Sequence, residues 1–125
     1  MILGLGTDMV EVARIQASHA QFGELFLTRI LRPAEIAYCL AHKTPAPHLA
    51  VRFAAKEAIA KAFGTGIGAE LHWHDLEIAR EATGRPYVIL HGGGLDLLAV
   101  RGARQVHLNL SHTLQYATAT AILEG

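Results

Sequence analysis

The 125 residues carry 11 Lys and Arg against 11 Asp and Glu, a net charge of zero with histidine neutral and an isoelectric point near 7.1. That length fits one domain with its own core. Balanced charge gives no electrostatic reason to bind nucleic acid or an anionic membrane, and no apolar run approaches the ~18 residues a membrane span requires.

Taken in chain order, Ile2 to Val10 reads as a short strand running into Asp8, with Gly4 and Gly6 marking a bulge or the close approach of another backbone. From Val12 to Phe26 the apolar residues Val12, Ile15, Phe22 and Phe26, with His19, fall three or four apart, the period of a helix. A second helix opens at Pro33, a residue suited to the first turn, with Glu35 complementing the dipole, and runs to about His42. Thr44-Pro45-Ala46-Pro47 breaks it. The strongest helix follows, His48 to Phe63, alanine-rich and closed by Gly64. A glycine-punctuated loop, Gly64 to Gly68, comes next. Strands are expected at Leu76–Ala79, Tyr87–Leu90, Val106–Leu110 and Tyr116–Leu123, with Gly84-Arg85-Pro86 turning between the first two. A short helix at Leu95–Val100 follows Gly92-Gly93-Gly94. Helices early and strands late predict a single α+β domain, an antiparallel sheet packed against helices.

Hydrophobic residues make up 51% of the chain and charged ones 18%, a balance that hints at surface buried between subunits. The one cysteine, Cys39, excludes an intrachain disulfide, and its apolar neighbours Tyr38 and Leu40 point to a buried thiol. The first residues lack the basic stretch of a signal peptide, so the expected location is the cytoplasm.

Four constellations carry possible chemistry. Asp8 and Glu57 are carboxylates on otherwise apolar elements, where an unpaired charge is costly. Either Glu57 pairs with Lys61, four residues on, or the two acids hold a hard cation such as magnesium, which takes one or two carboxylates and fills its shell with water and phosphate oxygens. On the same helix Arg52 and Lys56 share a strip beside Glu57 and Lys61, an arrangement that suits a phosphorylated ligand or an ordinary solvated face. The loop Gly64-Thr65-Gly66 either offers backbone N–H groups to a phosphate or simply ends the helix. It matches neither the Rossmann nor the Walker spacing. Ser111-His112-Thr113, at a strand end, could serve a phosphate or form a polar hairpin turn. His72 and His74 lack a nearby third ligand at metal-binding spacing.

The order of these segments is more specific than any one of them. Gly4-Leu5-Gly6-Thr7-Asp8-Met9-Val10-Glu11, then Arg52-Phe53-Ala54-Ala55-Lys56-Glu57-Ala58 with Lys61-Ala62-Phe63-Gly64-Thr65-Gly66-Ile67-Gly68, then Asp75-Leu76-Glu77-Ile78 with Gly84-Arg85-Pro86, and finally Leu110-Ser111-His112-Thr113 with Tyr116-Ala117 resemble the signatures of the 4′-phosphopantetheinyl transferase family, in its short bacterial acyl-carrier-protein synthase branch. The resemblance runs nearly end to end. It implies the α+β fold of that family and magnesium-dependent transfer of 4′-phosphopantetheine from coenzyme A to a serine of acyl carrier protein, in support of fatty acid biosynthesis. Asp8 and Glu57 become the metal ligands, with Asp8, Glu57 and Lys61 the catalytic group. Arg52, Lys61, Gly64, Thr65, Gly66, Arg85, Pro86, Ser111, His112 and Thr113 become coenzyme A contacts. Arg14, Phe22, Phe26 and Arg29 fall in the region that docks the carrier protein, although Gln16, Ser18, His19 and Gln21 leave that helix short of basic charge. The resemblance also implies a homotrimer with coenzyme A between neighbouring subunits. Two other classes stay open at this stage: a non-catalytic coenzyme-A-binding oligomer, and a structural oligomer without ligand.

Overall fold

A computed structural model describes all residues, 1 to 125. The chain runs β1 (Ile2–Glu11), α1 (Val12–Phe22), α2 (Glu24–Ile30), α3 (Pro33–Leu40), α4 (Ala46–Phe63), a 3-10 turn (Trp73–Asp75), β2 (Leu76–Arg80), β3 (Pro86–Leu90), α5 (Gly93–Val100), β4 (Gln105–His112) and β5 (Tyr116–Glu124). The α+β expectation holds, with one difference. The strands form two antiparallel sheets: a three-stranded one in the order β1-β5-β4, and a separate β2-β3 hairpin.

Helix α4 is the centre of the molecule. Thirteen of its 18 residues are buried, so its alanines serve close packing on several sides. Leu49, Ile59 and Phe63 are almost wholly enclosed, each contributing about 1.5–3 kcal/mol of transfer free energy on full burial. The helix lies on the inner face of the three-stranded sheet, where Ala117, Ala119, Ala121 and Leu123 of β5 are also buried. Gly4 and Gly6 explain how β1 comes so near. A Cβ at Gly4 would strike the Ala62 carbonyl, and one at Gly6 would meet the Ala58 carbonyl and the Ala62 nitrogen. The glycines of the first strand therefore mark a close backbone approach, and a register shift between Ile2 and Gly4 adds the irregularity.

The helix expected over Val12–Phe26 is two helices. Gly23, at φ 55°, closes α1 through its N–H to the His19 carbonyl and opens α2 in a new direction. A left-handed residue cannot continue an α-helix, and periodicity across four turns hides that break. Helix α4 also starts earlier than expected. Pro47 sits in its first turn, where a missing N–H costs no bond.

Lys56 departs furthest from its expected role beside the phosphate ligand. It is fully buried, and its Nζ donates to Glu35 Oε1 at 2.8 Å, to the Ile30 carbonyl at 2.7 Å and to the Trp73 carbonyl at 3.1 Å. Glu35 is also occupied, accepting from the backbone N–H groups of Arg32 at 2.8 Å and Ile78 at 2.9 Å. One buried ion pair thus ties α2, α3, α4, the 3-10 turn and β2 together. Burial pulls the Lys56 ammonium below its ordinary pKa, and the Glu35 charge opposes that shift.

Candidate active site

Two groups of charged side chains flank α4. On the β1 side, Asp8 and Glu57 line a cleft of about 300 Å³ with Met9, Val10, Arg14, Ile15, Ser18, Phe26 and Phe53. Asp8 faces α4 because β1 alternates, placing Gly4, Gly6, Asp8 and Val10 on its inner face. Lys61 pairs with Asp8, not with Glu57: its Nζ lies 3.1 Å from Asp8 Oδ1 and donates to the Thr7 carbonyl at 3.0 Å. Glu57 is half-buried, and its carboxyl is held above the usual carboxylate range by burial first and by the Asp8 charge second, with Lys61 opposing. The sequence-predicted catalytic trio is therefore assembled in one place.

The donor set has a specific character. Two carboxylates converge, and no third His, Cys, Asp or Glu joins them into a metal-holding group. Zinc and calcium sites made wholly by protein have three or more donors, whereas magnesium is suited to one or two carboxylates beside a phosphorylated substrate. Two acids converging beside an open cleft fit that hard cation.

On the β4 side of α4 the chemistry has the opposite sign. Arg52, only 2% exposed, lies with its guanidinium carbon 4.2 Å from the centre of the Tyr38 ring and donates to the His48 carbonyl at 3.4 Å. His112, the last residue of β4, has its ring 5.9 Å from that of His48, which stacks on His42 at 3.6 Å. The structure thus brings Arg52 and His112 into one neighbourhood, and adds Tyr38, His42 and His48, which sequence reasoning missed. The one signal available was Tyr38 and His42, four apart at the end of a helix, facing a histidine just past the proline break.

The remaining predicted residues have more local roles. The N–H groups of Gly64, Thr65, Gly66 and Gly68 all bond inside the protein, to Lys61, Ala60, Ala60 and Leu71 carbonyls at 2.9–3.2 Å. Gly64 to Gly66 is accordingly a helix stop whose amides are already committed, and a phosphate cradle of free amides is not formed. The Thr113 hydroxyl accepts from the N–H groups of Gln115 at 3.2 Å and Tyr116 at 3.1 Å, closing the β4–β5 hairpin. Ser111 is exposed on the outer face of β4, and Arg85 is exposed at the β2–β3 turn ahead of Pro86. Cys39 is buried, its thiol pushed up to about 11 by burial, and so is not a nucleophile at neutral pH.

A second hollow continues from the carboxylate cleft. Phe22, Leu25, Phe26 and Arg29 line it with Ser18, and both Ser18 and Phe26 belong also to the Asp8–Glu57 cleft. Phe22 and Leu25 are exposed. Leu25 was missed because a continuous helix over Val12–Phe26 assigns it no particular face.

Comparison with known proteins agrees with this architecture. The family model of the 4′-phosphopantetheinyl transferase superfamily matches residues 4–121, and the chain belongs to that superfamily. It is 50% identical over 124 residues to a holo-[acyl-carrier-protein] synthase of Koribacter versatilis, covering 99% of each chain. The crystal structure of the Neisseria meningitidis holo-[acyl-carrier-protein] synthase superposes with a TM-score of 0.93 at 36% identity, covering 100% of both chains. The Helicobacter pylori enzyme, solved in complex with coenzyme A, gives 0.86 at 31% identity over 96% of this chain and 99% of its own. Within the superfamily, then, the chain is an enzyme of the holo-[acyl-carrier-protein] synthase branch. No helix is long and apolar enough to cross a membrane.

Proposed function

We propose that the chain transfers 4′-phosphopantetheine from coenzyme A to a serine hydroxyl of an acyl carrier protein, at a site that two neighbouring copies of the chain complete. The observation that carries this reading is the division of the candidate residues across α4. Asp8, Glu57 and Lys61 lie along the β1 edge of the sheet, and Arg52 and His112 lie towards the β4 edge. A helix about 10 Å thick stands between them. One coenzyme A reaches both sets when the carboxylate flank of one copy faces the cationic flank of another. The outer face of the three-stranded sheet supports association: Leu5, Met9 and Tyr116 are exposed there, an apolar surface suited to a second copy. A homotrimer closes such a head-to-tail contact into a ring.

In the reaction the serine oxygen attacks the phosphorus that bears the pantetheine arm. The bond from that phosphorus to the bridging oxygen breaks, and adenosine 3′,5′-bisphosphate leaves. Such transfers depend on alignment and charge neutralisation more than on covalent help from protein. Asp8 and Glu57 would hold magnesium, which would supply charge neutralisation at the pyrophosphate. Lys61, anchored on the Thr7 carbonyl and half exposed, directs a positive charge at the same place. Glu57 is the candidate base for the serine proton. Arg52 and His112 hold the nucleotide end.

The groove of Phe22, Leu25, Phe26 and Arg29 leads into the carboxylate cleft, where Arg14 stands. It suits an acidic carrier protein with an apolar contact strip, which would bring its serine over Glu57. Incubation with coenzyme A, magnesium and an apo-carrier protein should add about 340 Da to the carrier, the mass of the group this reaction class transfers. No gain with any of several bacterial carriers would overturn the reading. The cytoplasm is the expected compartment, and fatty acid biosynthesis the pathway served.

A further inference from the structure

The cationic flank holds more positive charge than Arg52 and His112 need. His48 stacks on His42 at 3.6 Å, stands edge-on to Tyr38 at 6.1 Å and to His112 at 5.9 Å, and lies within the electrostatic reach of Arg52 and of Arg80 at the end of β2. The groups acting on it most strongly are His42 in the turn after α3, Arg52 on α4, Arg80 on β2 and His112 on β4, each a cation or a group that becomes one on protonation. No carboxylate is among them. The Nε groups of both Arg52 and Arg80 are buried with no hydrogen-bond partner. Buried guanidinium donors without acceptors are costly unless a ligand supplies the acceptor.

We propose that His42 and His48 are phosphate-binding residues that extend the Arg52–His112 cluster, and that a phosphate monoester bound among them is held together with a proton taken up by His48. The inference rests on the coenzyme A reading above and adds a proton to it. Coenzyme A offers one monoester, on its ribose; its pyrophosphate bears only diester-type charges. In the free protein, burial and then the neighbouring cations hold His48 below its ordinary pKa, so it is neutral at pH 7. His42 Nδ1 donates to the Tyr38 carbonyl at 2.9 Å, which fixes the ring on which His48 stacks. A dianion set among these groups reverses the local field and raises the His48 pKa. The sign follows: nucleotide affinity grows as pH falls through the pKa of the bound form, and it loses that increment as pH rises above it.

The test follows the His48 imidazole by NMR during pH titration of the full-length protein. It is run alone, with coenzyme A, with 3′-dephospho-coenzyme A and with inorganic phosphate; His48→Phe assigns the signal. Coenzyme A should raise the His48 pKa by about one unit or more, equivalent to a ~10-fold gain in affinity across the titration. Dephospho-coenzyme A should leave it near the free value, and inorganic phosphate should raise it at higher concentration. In His48→Phe, coenzyme A affinity should depend less steeply on pH below neutrality than in the unmodified protein. If coenzyme A binds and His48 does not move, or if the dephosphorylated form moves it equally, the proposal is wrong. If coenzyme A fails to bind while inorganic phosphate still raises the His48 pKa, the phosphate-binding cluster stands and the transferase reading falls. If nothing raises it, the cluster falls too.

Discussion

The two flanks of α4 use one helix for opposite purposes. On the β1 side, two carboxylates are crowded beside a half-exposed lysine, and Glu57 is pushed up in pKa. On the β4 side, two arginines and three histidines gather, and burial and then these cations push His48 down. Each flank is electrostatically unfinished, and on the proposed reading a different part of one ligand completes it: the pyrophosphate with magnesium for the first, a phosphate monoester for the second. Between them runs a finished pair, Lys56 and Glu35, in which every charge has its partners. On that reading the fold-serving pair is satisfied within the chain, while Glu57 and the Nε groups of Arg52 and Arg80 are left short.

That contrast can be broken first at its structural member. Lys56→Met strands the Glu35 carboxylate in the core and should destabilise the protein by about 3–5 kcal/mol, read by urea denaturation; a loss below about 1 kcal/mol, the worth of a surface pair, would place Lys56 among the ligand-serving charges. Glu57→Gln should behave oppositely. Transfer should fall by about 10²–10⁴-fold while the melting temperature rises at neutral pH. The sign comes from linkage: a carboxyl whose folded pKa lies above its unfolded value is costly to ionise in the folded state. The gain from removing that charge is present above the raised pKa and vanishes as pH falls below the ordinary carboxylate range. Near-normal transfer by Glu57→Gln with magnesium present would remove Glu57 from the chemistry. For His112→Ala, coenzyme A affinity should fall by about 10-fold, the usual worth of a hydrogen bond to a charged group, with thermal stability unchanged; calorimetric titration reads it. The smallest effect is expected at Arg85→Ala, whose exposed side chain predicts a change in KM for coenzyme A of about 2-fold or less within one subunit's account. A larger one would locate the β2–β3 turn in the neighbour's nucleotide site.

The sequence made one flank far more legible than the other. Asp8, Glu57 and Lys61 stand out because charges on an alanine- and glycine-rich background are conspicuous, and the alternation of β1 with the period of α4 turns them towards each other. The pairing inside the trio was not legible: spacing offers Glu57 to Lys61, while the fold brings Asp8 closer. From the sequence Lys56 reads as a phosphate contact or a solvated cation, since its partner Glu35 lies 21 residues away in another helix, beyond any periodicity. His42 and His48 straddle a proline-rich break and Arg80 belongs to a distant hairpin, so their meeting is a tertiary fact. The same limit split one predicted helix at Gly23 and divided the expected sheet into two.

The most direct test of the account is complementation between the flanks. Glu57→Gln and His112→Ala chains are each purified alone, then co-expressed and purified together, and transfer to an apo-carrier protein is measured at coenzyme A concentrations well below KM. If each site joins the carboxylate flank of one copy to the cationic flank of the next, random mixing in a ring leaves roughly a quarter of the sites fully intact, and the mixture should exceed the mean of the two separate variants. Activity equal to that mean would show that a single chain holds the whole site, and would contradict the division across α4.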